Sequence, residues 1–328
     1  MNKKYDHIII DTNLLYYKNY STHEDLTYEV KGKKIVTGGI YGSIISIKKL
    51  IRDFLGEYGT VWCVFDNATS KQNMRQRMID PTYKVSRKKR SKPFYRSLDY
   101  LRLILMNYDS NIKVIYGTGF EADDLVPNIL KEISFNDSIL LVSEDLDWSR
   151  LIEYNKRPIH QFMKKQVFDG IKFNNKYNFF PTNNKVSMYK AIKGDKSDDI
   201  PIGIPRVPTK KVIELIEAYK DIYDLIENIR YTNILTDKWK KDFSDNRSRL
   251  RLNYQLVSFI PVDQSYFKQF VTKGKYRPSY LKRLYESLGF KIRTFDSRVF
   301  DYILKQKFIS EHYKYQDDFF RPPKIKRR

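Results

Sequence analysis

The sequence predicts an α/β fold: a mostly parallel central sheet with helices on both faces, followed by a helical C-terminal region. Three observations carry this. Short apolar runs at "HIIID" (7–11), "VWCVFD" (61–66), "IKVIYG" (112–117) and "ILLVSED" (139–145) read as strands. Helical patterns at about 40–55, 94–107 and 121–134 lie between them, and such alternation implies a parallel sheet. The runs are apolar throughout, as strands buried on both faces are. After about residue 185 the strand signal fades and helical patterns dominate.

In chain order, "MNKKYDHIIIDTN" has an apolar run that is short and ends in Asp11, a first strand rather than a signal peptide. Gly38, Gly39 and Gly42 of "TGGIYG" open the next helix. They either let backbone N–H groups approach a phosphate closely or lead a glycine-rich loop into a helix. Between the second strand and its following helix lies an insertion of about 30 residues, a length that is usually functional or disordered. Residues 71–96 hold ten basic residues and one acid, Asp80, around the core "YKVSRKKRSK". Pro81 and Pro93 argue against one uninterrupted helix there. "RPIHQFM" and "QVFDGIKF" look like a hairpin pair. The last eight residues, "RPPKIKRR", carry five basic residues and two prolines and read as a disordered tail. The expected division is 1–184 for the α/β unit, with the basic insertion at about 67–97, then 185–310 helical and 311–328 tail.

The chain has 328 residues and 41% hydrophobic content, enough for a sizeable core. No run approaches the roughly 18 apolar residues of a transmembrane helix, so no membrane association is expected. Cys63 is the single cysteine, and the four histidines show no metal-ligand spacing. This excludes an internal disulfide and a multi-cysteine zinc site and fits a cytoplasmic setting. The net charge is +22, which points to a polyanionic partner, usually nucleic acid. Aromatics reach 15%, with 26 tyrosines. Tyrosines can stack on bases, although most are expected in or beside the core.

The ends of the strands carry the chemistry. Strand one ends in Asp11 and strand two in Asp66. Strand three leads into "GFEADD", with Glu121, Asp123 and Asp124, and strand four into Asp145 and Asp147. One acid at a strand end is a turn or cap signal, and acids also favour a helix's first turn. Open parallel sheets, however, bind ligands outside the carboxyl ends of their strands, and every inferred strand delivers a carboxylate to that edge. Such a group repels itself without cations. Oxygen ligands with no His or Cys cluster point to Mg²⁺, or Mn²⁺ in its place. "KGDKSDDIP" adds Asp195, Asp198 and Asp199, which read equally well as a polar turn and cap. An acidic pocket in a basic chain suits two-metal hydrolysis of nucleic acids.

The ordered set "IIIDTN", "TGGIYG", "VFDN", "YKVSR", "GFEADD", "SEDLDW" and "KGDKSDDIPIGIP" resembles the 5′ nuclease (flap endonuclease) family, especially bacteriophage members of the phage ribonuclease H type. The match covers roughly residues 5–215. The resemblance implies two or more Mg²⁺ ions. Asp11, Asp66, Glu121 and Asp123, with Asp124 alongside, would form the tighter site; Asp145, Asp147, Asp195 and Asp198 would serve the weaker one. Asp199 stands where the family often has Asn and is not expected to ligate. The basic insertion would form a helical arch over the site. Lys84 and Arg87 fall on the family's "YK..R" pattern and would hold the scissile phosphate, while Tyr83 would stack on a base. Lys88, Lys89 and Arg90 would make backbone contacts. The implied substrates are branched or 5′-tailed DNA and RNA–DNA hybrid, cut by a monomeric enzyme.

The family's helix–hairpin–helix falls at about 185–220. Gly203 survives, but Arg206 and Pro208 replace the two later hairpin glycines. Arg206 is expected to resist the glycine backbone angles, and Pro208 removes a donor. Duplex binding would then rely on Arg206, Lys210 and Lys211 as direct phosphate contacts. In the tail, Phe319 and Phe320 either pack in the core or dock a single-strand-binding protein or sliding clamp. A noncatalytic structure-specific DNA-binding protein is the main rival, but a pure binder gains nothing from carboxylates facing phosphate. A small-molecule phosphatase would leave the arch unexplained, and a PIN-like ribonuclease would lack the helical second half.

Overall fold

The structure, a computed structural model, describes residues 3–66, 79–87, 90–117 and 119–290. The chain opens with β1 (Tyr5–Asp11) and α1 (Thr12–Thr22). A separate hairpin follows, β2 (Thr27–Val30) with β3 (Lys33–Val36), then α2 (Thr37–Phe54) and β4 (Leu55–Phe65). Next come α3 (Lys92–Met106), β5 (Ile112–Tyr116), α4 (Ala122–Glu132) and β6 (Ile139–Val142). β1 pairs in parallel with β4 on one side and with β6 on the other, and β5 continues in parallel beyond β4. β7 (Ile159–Met163) extends the sheet in parallel beyond β6, and β8 (Gln166–Phe168) turns back against it. The hairpin reading holds for this pair, but "DGIKF" leaves the strand and enters α5 (Gly170–Tyr177).

Successive residues of the apolar runs enter opposite cores. Ile8, Ile10, Val61, Cys63, Val114 and Leu140 pack with α2 and α3 on one face. Ile9, Trp62, Val64, Ile115 and Leu141 pack with Leu125, Val126 and Ile129 of α4 on the other. This is why the runs show no polar alternation. Each fully buried aliphatic side chain contributes about 1.5–3 kcal/mol.

The helical half comprises α6 (Asn183–Lys193), α7 (Thr209–Ala218), α8 (Ile222–Asn228), α9 (Asp237–Asp245) and α10 (Arg247–Val257). Its core recruits Met163, Phe168, Phe173 and Phe179 from before residue 185, so packing is continuous across the expected boundary. Asn253 ties α10 to α6 by donating to the carbonyls of Ala191 (2.9 Å) and Pro201 (2.7 Å). After α11 (Gln264–Lys268), β9 (Val271–Lys273) returns to pair antiparallel with β5 at the sheet edge, and α12 (Pro278–Ser287) follows. This late strand is absent from the sequence expectation. No described helix is long and apolar enough to cross a membrane.

The phosphate-cradle reading of Gly38 and Gly39 is corrected here. A Cβ on Gly38 would lie 2.5 Å from His23 O, and one on Gly39 would lie 3.0 Å from the Tyr16 ring. The glycines allow α2 to approach α1, and the Gly38 N–H donates to Leu26 O at 3.0 Å. Both residues are buried.

Candidate active site

Four contiguous strands deliver carboxylates to one edge of the sheet. Asp11 ends β1 and caps α1 by accepting from the Leu14 N–H at 3.0 Å. Asp66 directly follows β4, Glu121 opens α4, and Asp145 caps a short 3-10 helical turn segment at Leu146–Leu151. Chain order reverses at β1, with β4 and β5 to one side and β6 and β7 to the other. Ligands bind at such switch points. Ser143 Oγ donates across this crevice to Asp11 Oδ2 (3.1 Å). Gln161 of β7 fixes the same turn, its amide donating to the carbonyls of Ser143 and Asp145 at 2.9 Å each.

A cleft of about 450 Å³ opens here. Asp11, Asp66, Glu121, Asp123, Asp145 and Asp147 line it, together with Lys84, Arg87, Arg90, Tyr17, Phe94 and Tyr95. Residues 83–87 form a strap pinned to the turn after α6. The buried Lys84 pairs with Glu121 and, at 3.4 Å, with Asp198, and its backbone N–H donates to Asp198 O (3.0 Å). Arg87 pairs with Asp198 and donates from Nε to Ser197 O (2.9 Å). The Ser86 backbone N–H donates to Asp199 Oδ2 (2.7 Å), and its hydroxyl donates to the same carboxylate. Asp199 is therefore a fastening point for the strap.

Two further cations lie among the acids. Arg150, 1% exposed, sits 3.6 Å from Asp123 Oδ2 and 3.5 Å from Asp147 Oδ1. Lys190 Nζ lies 2.7 Å from both Asp147 Oδ1 and Asp195 Oδ2.

These pairings divide the site electrostatically. Burial and the neighbouring Asp66 push the Asp11 carboxyl up to about 7. Burial and Glu121 raise Asp66, while burial, Asp124 and Glu121 hold Asp123 well above the usual carboxylate range. Burial works to raise Asp147 too, but Arg150 and Lys190 outweigh it and bring the group below its ordinary value. Burial likewise opposes the charge on Lys84, yet Glu121 and Asp198 raise its pKa. Among the described residues, no lysine or arginine forms an ion pair with Asp11, Asp66 or Asp145.

No three of the described carboxylates form a finished metal-ligand set. The donor chemistry nonetheless fits a hard divalent cation: carboxylate oxygens without histidine or cysteine, and mutually repelling carboxyls at Asp11 and Asp66 that no direct ion pair relieves. Convergence on a cation requires side-chain rotation away from present partners.

The structure brings Asp11, Asp66, Glu121, Asp123, Asp145 and Asp147 to one cleft, and ion pairs join Asp195 and Asp198 to it. Asp124 is corrected. It is 1% exposed, with Oδ2 accepting from the Glu121 N–H (3.2 Å) and Oδ1 from the Ile260 N–H (2.7 Å). Backbone amides hold both oxygens, so it anchors the start of α4. Tyr83 is corrected too. It is 3% exposed, with its hydroxyl 3.0 Å from Glu121 Oε2 and 3.2 Å from Asp198 Oδ2, and it offers no ring face to a base. Arg206 overturns the expectation that it would resist the glycine angles, since it adopts φ +61°. Arg206 and Lys210 are exposed, whereas Lys211 pairs with Glu214 (2.7 Å). The Arg90 guanidinium lies 4.1 Å over the Tyr17 ring at the cleft. Lys88, Lys89, Phe319, Phe320 and the basic tail lie outside the described residues.

Sequence reasoning missed Arg150, Lys190, Tyr17 and Tyr95. Arg150 follows Asp147 by three residues, a spacing ordinarily read as a surface ion pair. Only the tertiary fold shows that it is buried.

Fold and cleft together define an α/β protein with an acidic edge at the topological switch of its sheet. The chain belongs to the 5′-3′ exonuclease family: residues 6–178, more than half of its length, match the 5′-3′ exonuclease N-terminal resolvase-like domain. It is a nuclease of that class. DNA polymerase I of Caldicellulosiruptor bescii is 28% identical over 229 residues, 68% of this chain but only 25% of that protein. A 5′-3′ exonuclease of Buchnera aphidicola is 27% identical over 266 residues, covering 78% of this chain and 88% of the relative. The bacteriophage T5 flap endonuclease, solved as a pseudo-enzyme-product complex with DNA and metal ions, shares the fold with a TM-score of 0.60. It is 16% identical over 86% of this chain and 99% of that one.

Proposed function

We propose that this chain is a divalent-metal-dependent, structure-selective 5′ nuclease that removes 5′ flaps and RNA primers near the junction of single strand and duplex. The observation that carries the reading is the cationic strap of residues 83–87 fastened across an acidic strand-end cleft. The metal and DNA in the T5 relative support it. Asp11, Asp66, Glu121 and Asp123 would hold one Mg²⁺, and Asp145, Asp147, Asp195 and Asp198 a second, with Mn²⁺ able to substitute. Such cations polarise phosphoryl oxygens and lower the pKa of water. Lys84 and Arg87 exchange carboxylate partners for the scissile phosphate. Tyr17 and Tyr95, half-buried in the cleft wall, offer faces to the single strand.

The test is cleavage of a 5′-labelled flap duplex. Junction-proximal cutting with Mg²⁺, abolished by EDTA, is expected. Tight binding without cutting in Mg²⁺ or Mn²⁺ overturns the reading in favour of a noncatalytic structure-specific binder. The exposed Arg206 and Lys210 would contact duplex phosphates. Their double alanine variant is expected to flatten the dependence of log affinity on log salt by about two units, with single-turnover cleavage at saturating enzyme unchanged. An unaltered slope would remove them from the interface.

A further inference from the structure

Arg150 has the lowest exposure of any described lysine or arginine, at 1%. Its Nε donates to the Asp147 carbonyl (2.9 Å), Nη1 donates to the Val257 carbonyl, and the guanidinium carbon lies 3.8 Å over the Phe259 ring. Backbone oxygens and an aromatic face thus fix the charge, which does not swing as Lys84 and Arg87 on the strap can. It stands 3.6 Å from Asp123 and 3.5 Å from Asp147, one carboxylate from each proposed metal position. No substrate phosphate can reach a group so enclosed, so a direct substrate contact does not explain it.

We propose that Arg150 is a positioning residue, a built-in counterion that sets the spacing of Asp123 and Asp147 and carries part of the neutralisation that divalent ions would otherwise supply. The inference rests on the metal-dependent reading above. Two consequences follow. The acidic centre remains folded without divalent ions, because a buried carboxylate pair without a cation is strongly destabilised. Mg²⁺ also binds more weakly than the carboxylate count suggests, since a fixed positive charge lies beside its ligands.

The test uses the full chain, Mg²⁺ alone as probe, and two variants. Arg150→Gln is expected to melt below wild type in EDTA, to recover most of the difference at saturating Mg²⁺, and to bind Mg²⁺ tighter in calorimetry by on the order of tenfold. Arg150→Lys keeps the charge but loses the two-sided fork, and is expected to keep the wild-type Mg²⁺ affinity. A melting deficit of Arg150→Gln that is the same with and without Mg²⁺, with unchanged affinity, overturns the inference and leaves only packing against Phe259 and Val257. If Arg150→Gln does not fold in EDTA, Arg150→Lys decides: wild-type Mg²⁺ affinity supports the counterion role and an altered one overturns it. The two readings fail separately. Wild type that neither binds Mg²⁺ nor cleaves sinks the metal-dependent reading and this inference with it, whereas a Mg²⁺-independent deficit in an active enzyme sinks the inference alone.

Discussion

Asp11→Asn is expected to lower flap cleavage by on the order of a thousandfold, the loss of several kcal/mol of metal-centred stabilisation, without weakening the fold. Asparagine caps a helix as well as aspartate, so the bond from the Leu14 N–H survives. What disappears is a charge forced against Asp66. The Asp11 carboxyl sits at about 7 in the fold against an ordinary 3.8. A carboxyl raised on folding adds stability while protonated and loses it as pH climbs through the folded value. Above pH 7 the variant should therefore melt at or above wild type, at about 2–4 °C per kcal/mol, and this advantage should vanish as pH falls toward the ordinary carboxylate range. At sub-saturating Mg²⁺, wild-type cleavage should weaken as pH falls, because protons compete with the cation for the raised Asp11 carboxyl. Cleavage within tenfold of wild type would remove Asp11 from the centre.

Lys84→Ala is expected to reduce the single-turnover rate by about 10²–10³-fold, with flap affinity, measured without divalent ions, within tenfold of wild type. Lys84 is buried at φ +55° between Glu121 and Asp198. Its ammonium is preorganised at the acidic wall, where a phosphate would acquire charge, rather than on the open surface where general affinity arises. Alanine meets the same backbone penalty as lysine at this angle, so the variant isolates the ammonium. Equal losses in rate and affinity would make Lys84 a uniform binding contact.

The sheet was legible because its strands are buried on both faces, which leaves unbroken apolar runs. The acidic edge was legible because Asp11 and Asp66 close such runs and Glu121 and Asp145 come within a few residues of them. Asp124 shares the same local pattern, yet only the tertiary fold brings the Ile260 N–H to it. Tyr83 was misread for a related reason: a tyrosine in a basic segment looks exposed until Glu121 and Asp198 close over its hydroxyl. Gly38 and Gly39 carried two meanings, and the close approach of α1 selects packing. β9 is three residues long, too short for periodicity to register, and its pairing partner lies far upstream.

That short strand alters what kind of object the helical half is. It is a span moored at both ends: it leaves the sheet from β8 at one margin and comes home through β9 at the other. Gly274 locks the landing, since a Cβ there would stand 2.1 Å from Asp109 O. A fragment stopping before the helical half would leave β5 with a bare row of backbone donors and acceptors, the template for edge-to-edge association. The two halves cannot part like the jaws of a hinge without unstitching a margin of the sheet. Under the proposed function, admission of a nucleic acid strand therefore falls to the strap at residues 83–87, which ion pairs join to Asp198 and hydrogen bonds from Ser86 join to Asp199, donors that a phosphate can also engage.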